Sequence, residues 1–484
     1  MSIQQKMILP LPRPQYVAVP EALISALAWR AFDVDLSKLG SEPIGLVYRT
    51  DLGKQEKQPK TFTLRATEPV SSESLTAFGE ALRDSGVKSQ VAPELLARAV
   101  LNSVVGVRAE KSGKQPATPI TPGLALLQNM RGLQGSKNPP DLAEIMETMY
   151  RLGGGAESAR GSMTAHWLHA TETRLETDSL LRALDVAVDG SLLGDERRNA
   201  GEDSQDKTVA RLAGSSVLAH TPYSWLTRSW DTLTSRPWVE ALPARVWVDW
   251  ATTILRLGLG MGFLWEAAWY ETIARKLLRG ETPASGQDLV EWLTSEVGEV
   301  LPWKSSRSMT SVRDVAPVLS WRIHRGDKIR RLLTDELKGH PEGENLAQGW
   351  KRLESNGELR SDLTVALGSK EKGANNAWEA VKYALLTRDA TGPSADYYGL
   401  LRPNGRYMTV DPGTEWIAVV ASLACGAPGQ ESNVRDVMDS LAELGMQPEL
   451  NDLVALLERA GLARGSADAD QAVIVQSAFS GGTK

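Results

Sequence analysis

The amino-acid sequence predicts a mainly α-helical protein that folds as several domains. Domains usually hold about 100–200 residues, so a chain of 484 residues exceeds a single ordinary core. Most segments repeat apolar residues three and four positions apart, which is the spacing of one helix face. Apolar residues make up 42% of the chain and charged residues 24%, a composition typical of folded proteins and not of disordered ones.

The N-terminal part predicts a small α+β unit. After Pro20, the segment EALISALAWRAF repeats its apolar residues at helical spacing. Ile44–Tyr48 and Thr61–Leu64 are short runs rich in β-branched or aromatic residues, separated by a polar loop, which favours a hairpin. Helical patterns then cover residues 73–85 and 92–103.

The middle of the chain predicts three helices, an exposed loop and a tryptophan-rich helical domain. The helices occupy residues 122–188, and the third is long. Residues 189–207 are polar, mainly acidic and almost without apolar side chains, which indicates an exposed loop. Seven of the 15 tryptophans lie between residues 209 and 280, where the densest core is expected. The whole chain is thus divided into five predicted segments: 1–110, 122–188, 189–207, 208–400 and 401–484.

Glycines in the 208–400 segment have two predicted roles. Gly326, Gly343 and Gly373 are predicted to lie in turns that link helices. The three glycines at positions 258, 260 and 262 have a spacing similar to that of a phosphate-binding loop, which needs a strand before it and a helix after it. Since the preceding residues have a helical pattern, close helix packing is the favoured interpretation.

The last 80 residues give the clearest pattern. A turn and a short strand precede three helices, and a two-stranded hairpin follows them. The boundaries of these elements are a strand at Tyr407–Val410, helix ends near Cys425, Gly445 and Gly461, and hairpin strands at Leu462–Arg464 and Val473–Val475. With a tight turn between its second and third helices, residues 405–479 resemble the winged-helix variant of the helix-turn-helix fold. This resemblance implies a compact module that binds DNA or protein, and it implies no particular chemistry.

The charge of the C-terminal module favours a protein partner over DNA. Residues 410–484 contain 11 acidic and four basic residues, a net charge of −7. The third helix has the acidic residues Glu449, Asp452 and Glu458 and one compensating base, Arg459. Phosphate contacts require lysine and arginine, and Arg459 is the one such residue of this helix.

A basic segment earlier in the chain is the candidate nucleic-acid site. Leu301–Arg331 has eight basic and two acidic residues, a net charge of +6, and it mixes these with Trp321 and His324. Arginines interleaved with aromatic rings suit backbone neutralisation and base stacking. The alternative is a basic helix face that pairs with acidic neighbours such as Asp335 and Glu336. The candidate binding residues are Arg322, Arg325, Lys328, Arg330 and Arg331.

His166 and His169 are the weak metal candidates. They lie three positions apart on a predicted helix, and Glu172 and Glu176 continue that face. Such spacing is common by chance, so a structural or surface role is favoured and no cofactor is predicted. The single cysteine, Cys425, excludes an intramolecular disulfide and is expected to be inert.

The sequence predicts a cytoplasmic protein without a membrane segment. The start, MSIQQKMILPLPRPQ, lacks the apolar region of a signal peptide. The most apolar window, Leu257–Trp265, is far shorter than the roughly 20 residues of a membrane span. A net charge of −6 argues against a surface that binds polyanions throughout, although a local basic patch is compatible with it.

Three functions remain open on these grounds. The first, and favoured, is a non-catalytic scaffold or adaptor subunit that docks other protein subunits through residues 401–484. The second is a nucleic-acid-binding component of a bacterial defence or DNA-processing complex, antiviral defence included, that uses residues 301–331. The third is an enzyme, although no known catalytic motif is present; a pocket that joins His166, His169 and glutamates would be its signature.

Overall fold

The fold is mainly α-helical, as predicted. The computed structural model describes residues 9, 11–12, 19–33, 46–49, 61–64, 71–107, 116–127, 142–155, 161–190, 198–199, 218–303, 314–338, 346–371, 376–388, 396–464 and 473–479. Within these ranges the chain forms 18 helices and four small β-sheets.

The helices are numbered in chain order. The first seven are α1 Glu21–Ala31, α2 Ser72–Asp84, α3 Pro93–Ser103, α4 Pro122–Leu126, α5 Leu142–Leu152, α6 Met163–Thr177 and α7 Ser179–Val188. The next eight are α8 Pro222–Leu233, α9 Arg236–Ala241, α10 Ala244–Arg279, α11 Leu289–Ser295, α12 Ala316–Lys338, α13 Leu346–Ser355, α14 Gly357–Gly368 and α15 Asn376–Leu385. The last three are α16 Thr414–Ala424, α17 Val434–Glu443 and α18 Leu450–Arg459.

The strands are short and pair in antiparallel fashion. They are β1 Phe32–Asp33, β2 Leu46–Arg49, β3 Thr61–Leu64, β4 Arg198–Asn199, β5 Leu401–Asn404, β6 Tyr407–Val410, β7 Glu431–Asn433, β8 Ala463–Arg464 and β9 Ile474–Gln476. β2 pairs with β3, which confirms the predicted N-terminal hairpin. β1 pairs with β4, a strand inside the predicted acidic loop 189–207, most of which lies outside the described residues.

The 36-residue helix α10 is the centre of the core. Every residue from Trp250 to Ala274 is buried, because α1, α5, α8, α12, α14 and α15 all pack against this helix. The expected tryptophan-rich core is confirmed: Trp225, Trp230 and Trp269 are among the largest fully buried side chains. Buried apolar residues from Leu9 to Val475 form one connected cluster, while the predicted domain boundaries stay predictions.

Glycines allow neighbouring helices to approach α10 closely. A Cβ atom added to Gly258 would lie 2.7 Å from a methyl carbon of Leu226, and one added to Gly260 would lie 2.6 Å from Leu385. Close helix packing is therefore the confirmed role of these glycines. No described helix is long and apolar enough to span a membrane.

Two predicted helix boundaries are corrected by the structure, since one predicted turn is helical and one predicted long helix is interrupted. Gly326 lies inside the continuous helix α12 and not in a turn; its missing side chain is needed because an added Cβ would lie 2.5 Å from Cα of Ala267 on α10. The long third helix predicted within residues 122–188 is two helices, α6 and α7. Asp178 lies between them and is the N-cap residue of α7. Its carboxylate accepts hydrogen bonds from the backbone N–H groups of Leu180 and Leu181. Gly343 and Gly373 lie outside the described residues.

The C-terminal elements begin and end close to their predicted positions. Three helices, α16 to α18, follow the β5–β6 hairpin, and Gly445 and Gly461 follow the last two of them with positive φ angles of 79° and 72°. The predicted hairpin is present as β8 and β9, and β7 joins it to give the strand order β7-β9-β8. The sheet thus has one strand more than the sequence pattern predicts.

Candidate docking surface and polar groove

The basic helix α12 uses two half-buried arginines for contacts within the protein. Arg322 donates a hydrogen bond to the carbonyl oxygen of Val300, and burial lowers the pKa of its guanidinium. Arg325 donates from Nε to Oε1 of Glu271 on α10 at 2.6 Å, and the Glu271 side chain is 1% exposed. These two arginines join α12 to its neighbours.

The remaining basic residues of α12 lie closer to solvent. Arg330 contacts Asp327 at 3.2 Å, and Arg331, whose side chain is 65% exposed, contacts the other oxygen of the same carboxylate. Lys328 is half-buried. Four of the five candidate nucleic-acid residues thus contact a carboxylate or a carbonyl of the protein, and a role in binding nucleic acid stays a prediction. Lys304, Arg307 and Arg313 lie outside the described residues.

The two candidate metal-binding histidines have different surroundings. His166 is buried, whereas His169, three positions later on α6, is exposed together with Glu172 and Glu176. In the described part of the chain, no group of three or more His, Cys, Asp or Glu side chains is arranged to hold a metal ion.

His166 belongs instead to a buried polar cluster shared by α5, α6 and α8. Its Nδ1 atom lies 3.1 Å from Oδ1 of Asp231 and 3.4 Å from Oγ1 of Thr234. The hydroxyl of Tyr150 donates to the same Oδ1 at 2.7 Å and lies 3.4 Å from Nε2 of His166. The Asp231 carboxylate is therefore held through one oxygen by two side chains from other helices.

Local interactions fix the helices that carry this cluster. The fully buried Glu147 on α5 accepts hydrogen bonds from the backbone N–H groups of Met163 and Thr164 at the start of α6. Helix α8 begins with a capping box between Thr221 and Ser224. Backbone N–H groups in the first turns of both helices thus have hydrogen-bond acceptors. These bonds fix where α6 and α8 begin and so help to position His166 and Asp231.

An open groove of about 560 Å³ is lined in part by Asp231. One face of α8 forms its floor, the glycines that end α5 form one side, and Gly426 of the C-terminal module forms part of another. The sequence offers one signal for the groove, a stripe of polar residues on the otherwise tryptophan-rich helix α8: Ser224, Arg228 and Asp231.

Specific contacts attach the C-terminal module to the helical body near this groove. Nε1 of Trp225 donates to Oγ of Ser440 at 2.9 Å, and the backbone N–H of Val300 donates to the carbonyl of Gly445 at 2.8 Å. Arg228 on α8 pairs with Glu443 on α17 at 2.5 Å. Helix α17 thus faces the body.

Helix α18 presents an outer surface of mixed apolar and acidic character. Leu450 is 49% exposed, Ala455 and Glu458 are exposed, and Val454 between them is half-buried. Glu449, directly before the helix, is exposed as well. We call these five residues the α18 face; Asn451 and Arg459, which are also exposed, lie beside it.

Cys425 has the surroundings of a structural residue. It lies buried at the end of α16, and its Sγ donates to the carbonyl of Val475 at 3.6 Å. Burial raises the pKa of its thiol to about 11, so the reactive thiolate is scarce at neutral pH.

No protein-family model matches the chain, and a search of curated proteins finds no match either.

Proposed function

We propose that the chain is a non-catalytic scaffold subunit whose C-terminal module docks a partner protein that has a basic surface. In this proposal residues 401–484 form a winged-helix-like unit of the cytoplasmic assembly. The order of three helices and a small sheet that pairs β7 and β8 on either side of β9 supports that reading. The single buried cysteine fits a reducing compartment.

The observation that carries the proposal is the chemistry of the α18 face. In helix-turn-helix proteins the corresponding helix enters the major groove of DNA, where lysine and arginine neutralise phosphates. Here an exposed leucine and a half-buried valine lie between two exposed glutamates. An apolar centre with a charged rim is typical of protein interfaces, and the acidic rim complements a basic partner.

The described elements that attach the module to the body leave this face exposed. Helix α17 packs against α8 of the body, whereas α18 packs against α16 and β8 of its own module. The contacts between Trp225 and Ser440 and between Arg228 and Glu443 all involve α17. Docking at the α18 face therefore requires no rearrangement of the body.

The basic helix α12 supports the nucleic-acid alternative less well. A cation that is already paired with a protein carboxylate gives less net attraction to phosphate, because the pair must first separate. Arg325 is paired with the buried Glu271, and both Arg330 and Arg331 are paired with Asp327.

The proposal predicts that reversing the charge of the α18 face releases the partner. Glu449→Lys combined with Glu458→Lys is expected to weaken partner binding by about tenfold or more, because like charges then oppose each other across the interface. The measurement is purification of the tagged chain from its native host, with nuclease treatment, followed by quantitative mass spectrometry of the proteins that co-elute.

A matched control separates this effect from a general change of charge. Glu73→Lys with Glu80→Lys makes the same change at two exposed positions on α2, seven residues apart, and should keep the partner. A partner retained equally by both double variants would contradict docking at the α18 face. A co-purifying molecule that nuclease removes would favour the nucleic-acid alternative instead.

A further inference from the structure

The carboxylate of Asp231 has one oxygen that is engaged by protein groups and one to which the described residues make no hydrogen bond or ion pair. Tyr150 and His166 both contact Oδ1. Within the described ranges, no hydrogen bond or ion pair involves Oδ2, and the side chain is 37% exposed where it lines the groove. Buried side chains thus orient the carboxylate through Oδ1, while the Asp231 side chain is accessible from the groove.

The nearest cation on the same face of α8, Arg228, pairs with Glu443 and forms no ion pair with Asp231. Arg228, three residues earlier on α8, directs Nη1 and Nη2 to the two carboxylate oxygens of Glu443 at 3.2 and 2.5 Å. This two-point pairing is the geometry in which arginine binds a carboxylate most strongly. Glu443 therefore offsets the charge of Arg228, and His166 carries a charge only when it is protonated.

The groove is large enough for a polar side chain, and its lining offers hydrogen-bond acceptors. Its volume of about 560 Å³ lies within the ~300–1,000 Å³ typical of ligand pockets. Hydroxyl groups of Thr227, Thr232 and Ser235 line it together with backbone of glycines. Hydroxyl and carbonyl oxygens can accept the remaining hydrogens of a guanidinium or ammonium group whose charge lies on Asp231.

The groove also opens beside the module that we propose as the docking unit. Gly426, in the turn after α16, lines it, and the Arg228–Glu443 pair connects its floor to α17. The groove therefore borders the module that carries the α18 face.

We infer that the groove binds the side chain of an arginine or lysine from the partner protein, with Asp231 as the counter-ion; the inference rests on the proposed docking function. A basic partner held by the acidic α18 face supplies such side chains. A metal ion fits less well, because hard cations prefer several carboxylate or carbonyl ligands and Asp231 is the carboxylate that lines the groove.

The direct test uses N-acetyl-arginine amide as the probe and the full-length protein. Saturation-transfer NMR should detect binding of this probe to the wild type, and Asp231→Asn should weaken it by about tenfold or more, since the amide keeps the shape and loses the charge. N-acetyl-norleucine amide, which has a similar chain without a charge, should not bind. Asp439→Asn, which removes an exposed charge from the neighbouring α17, should bind the arginine probe like the wild type.

A second variant tests whether the buried groups orient the carboxylate. Tyr150→Phe removes the hydroxyl that donates to Oδ1 and is expected to weaken binding of the probe by less than Asp231→Asn does. Thermal unfolding of each variant shows whether the fold is kept. Equal binding of the probe to the wild type and to Asp231→Asn, or equal binding of the norleucine compound, would overturn the inference.

The same variants separate this inference from the proposed function. If Asp231→Asn keeps the co-purifying partner at wild-type levels while the α18-face variant loses it, the groove does not take a partner side chain and the docking function stands. If the α18-face variant keeps the partner, the docking function fails. Loss of the partner in both variants, together with loss of probe binding in Asp231→Asn, supports both.

Discussion

Replacing Arg256 with methionine should lower the free energy of unfolding by about 3–5 kcal/mol. Arg256 lies on α10 and is buried, and it donates to the carbonyl oxygens of Ala384 and Leu386 at 2.7 and 2.8 Å and to Oδ1 of Asp396 at 2.9 Å. Without the guanidinium, the buried Asp396 carboxylate loses its cationic partner, and the two carbonyl oxygens lose the hydrogen bonds that Arg256 donates. The buried charge accounts for most of the loss, because water cannot solvate it.

The measurement is urea unfolding followed by tryptophan fluorescence. Arg236→Met is the matched control, because Arg236 is 75% exposed and pairs with Glu240 on the helix surface. Its loss should change the stability far less than Arg256→Met does, since water solvates both groups of this pair. The double variant Arg256→Met, Asp396→Asn should lose less than the sum of the two single variants, because the charge that the first leaves unpaired is gone. Equal losses in Arg256→Met and Arg236→Met would show that the buried pair does not hold α10 to the segment after α15.

Reversing the charge of Arg325 should destabilise the fold by about 3–5 kcal/mol, whereas the same reversal at Arg331 should cost less than about 1 kcal/mol. Arg325→Glu would bring a second carboxylate against Glu271, which is 1% exposed and would keep Arg275 as its cationic partner. Arg331 is 65% exposed and reaches Asp327 from the solvent side.

This pair of variants decides what the basic residues of α12 do. Urea unfolding gives the stability of each variant, and binding of a duplex DNA at two salt concentrations gives its affinity for a polyanion. We expect Arg325→Glu to be destabilised and Arg331→Glu to keep both its fold and the wild-type response to DNA. Salt-dependent DNA binding that Arg331→Glu abolishes without loss of stability would instead assign α12 to nucleic acid.

Much of the fold could be predicted because its signals are local. Gly445 and Gly461 follow α17 and α18 at the expected positions, since glycine adopts the left-handed backbone that ends a helix. The burial of Trp225 and Trp269 follows from their apolar area and helical spacing. Such features depend on neighbours within a few residues.

Other features could not be predicted because they depend on contacts between distant segments. Glycine is typical of turns, so the sequence predicts a turn at Gly326. Its place inside a helix is explained by the close contact of its backbone with Ala267 on α10. Glu271 and Arg325 are 54 residues apart, and nothing in either segment predicts that they pair.

The groove could not be predicted from the sequence for the same reason. The cluster behind it joins Tyr150, His166 and Asp231 from three helices, the last two separated by 65 positions in the printed sequence. Each of them alone has an ordinary role in a helix. Packing of α5, α6 and α8 makes them a site.

Photo-crosslinking from Leu450 tests the central claim most directly. A benzoylphenylalanine placed at this exposed position of α18 should form an adduct with one protein in the native host, and nuclease should not change that adduct. The same label at Val365, which is 60% exposed on α14, should not capture that protein. An adduct with nucleic acid at Leu450, or capture of the same protein from both positions, would contradict docking through the α18 face.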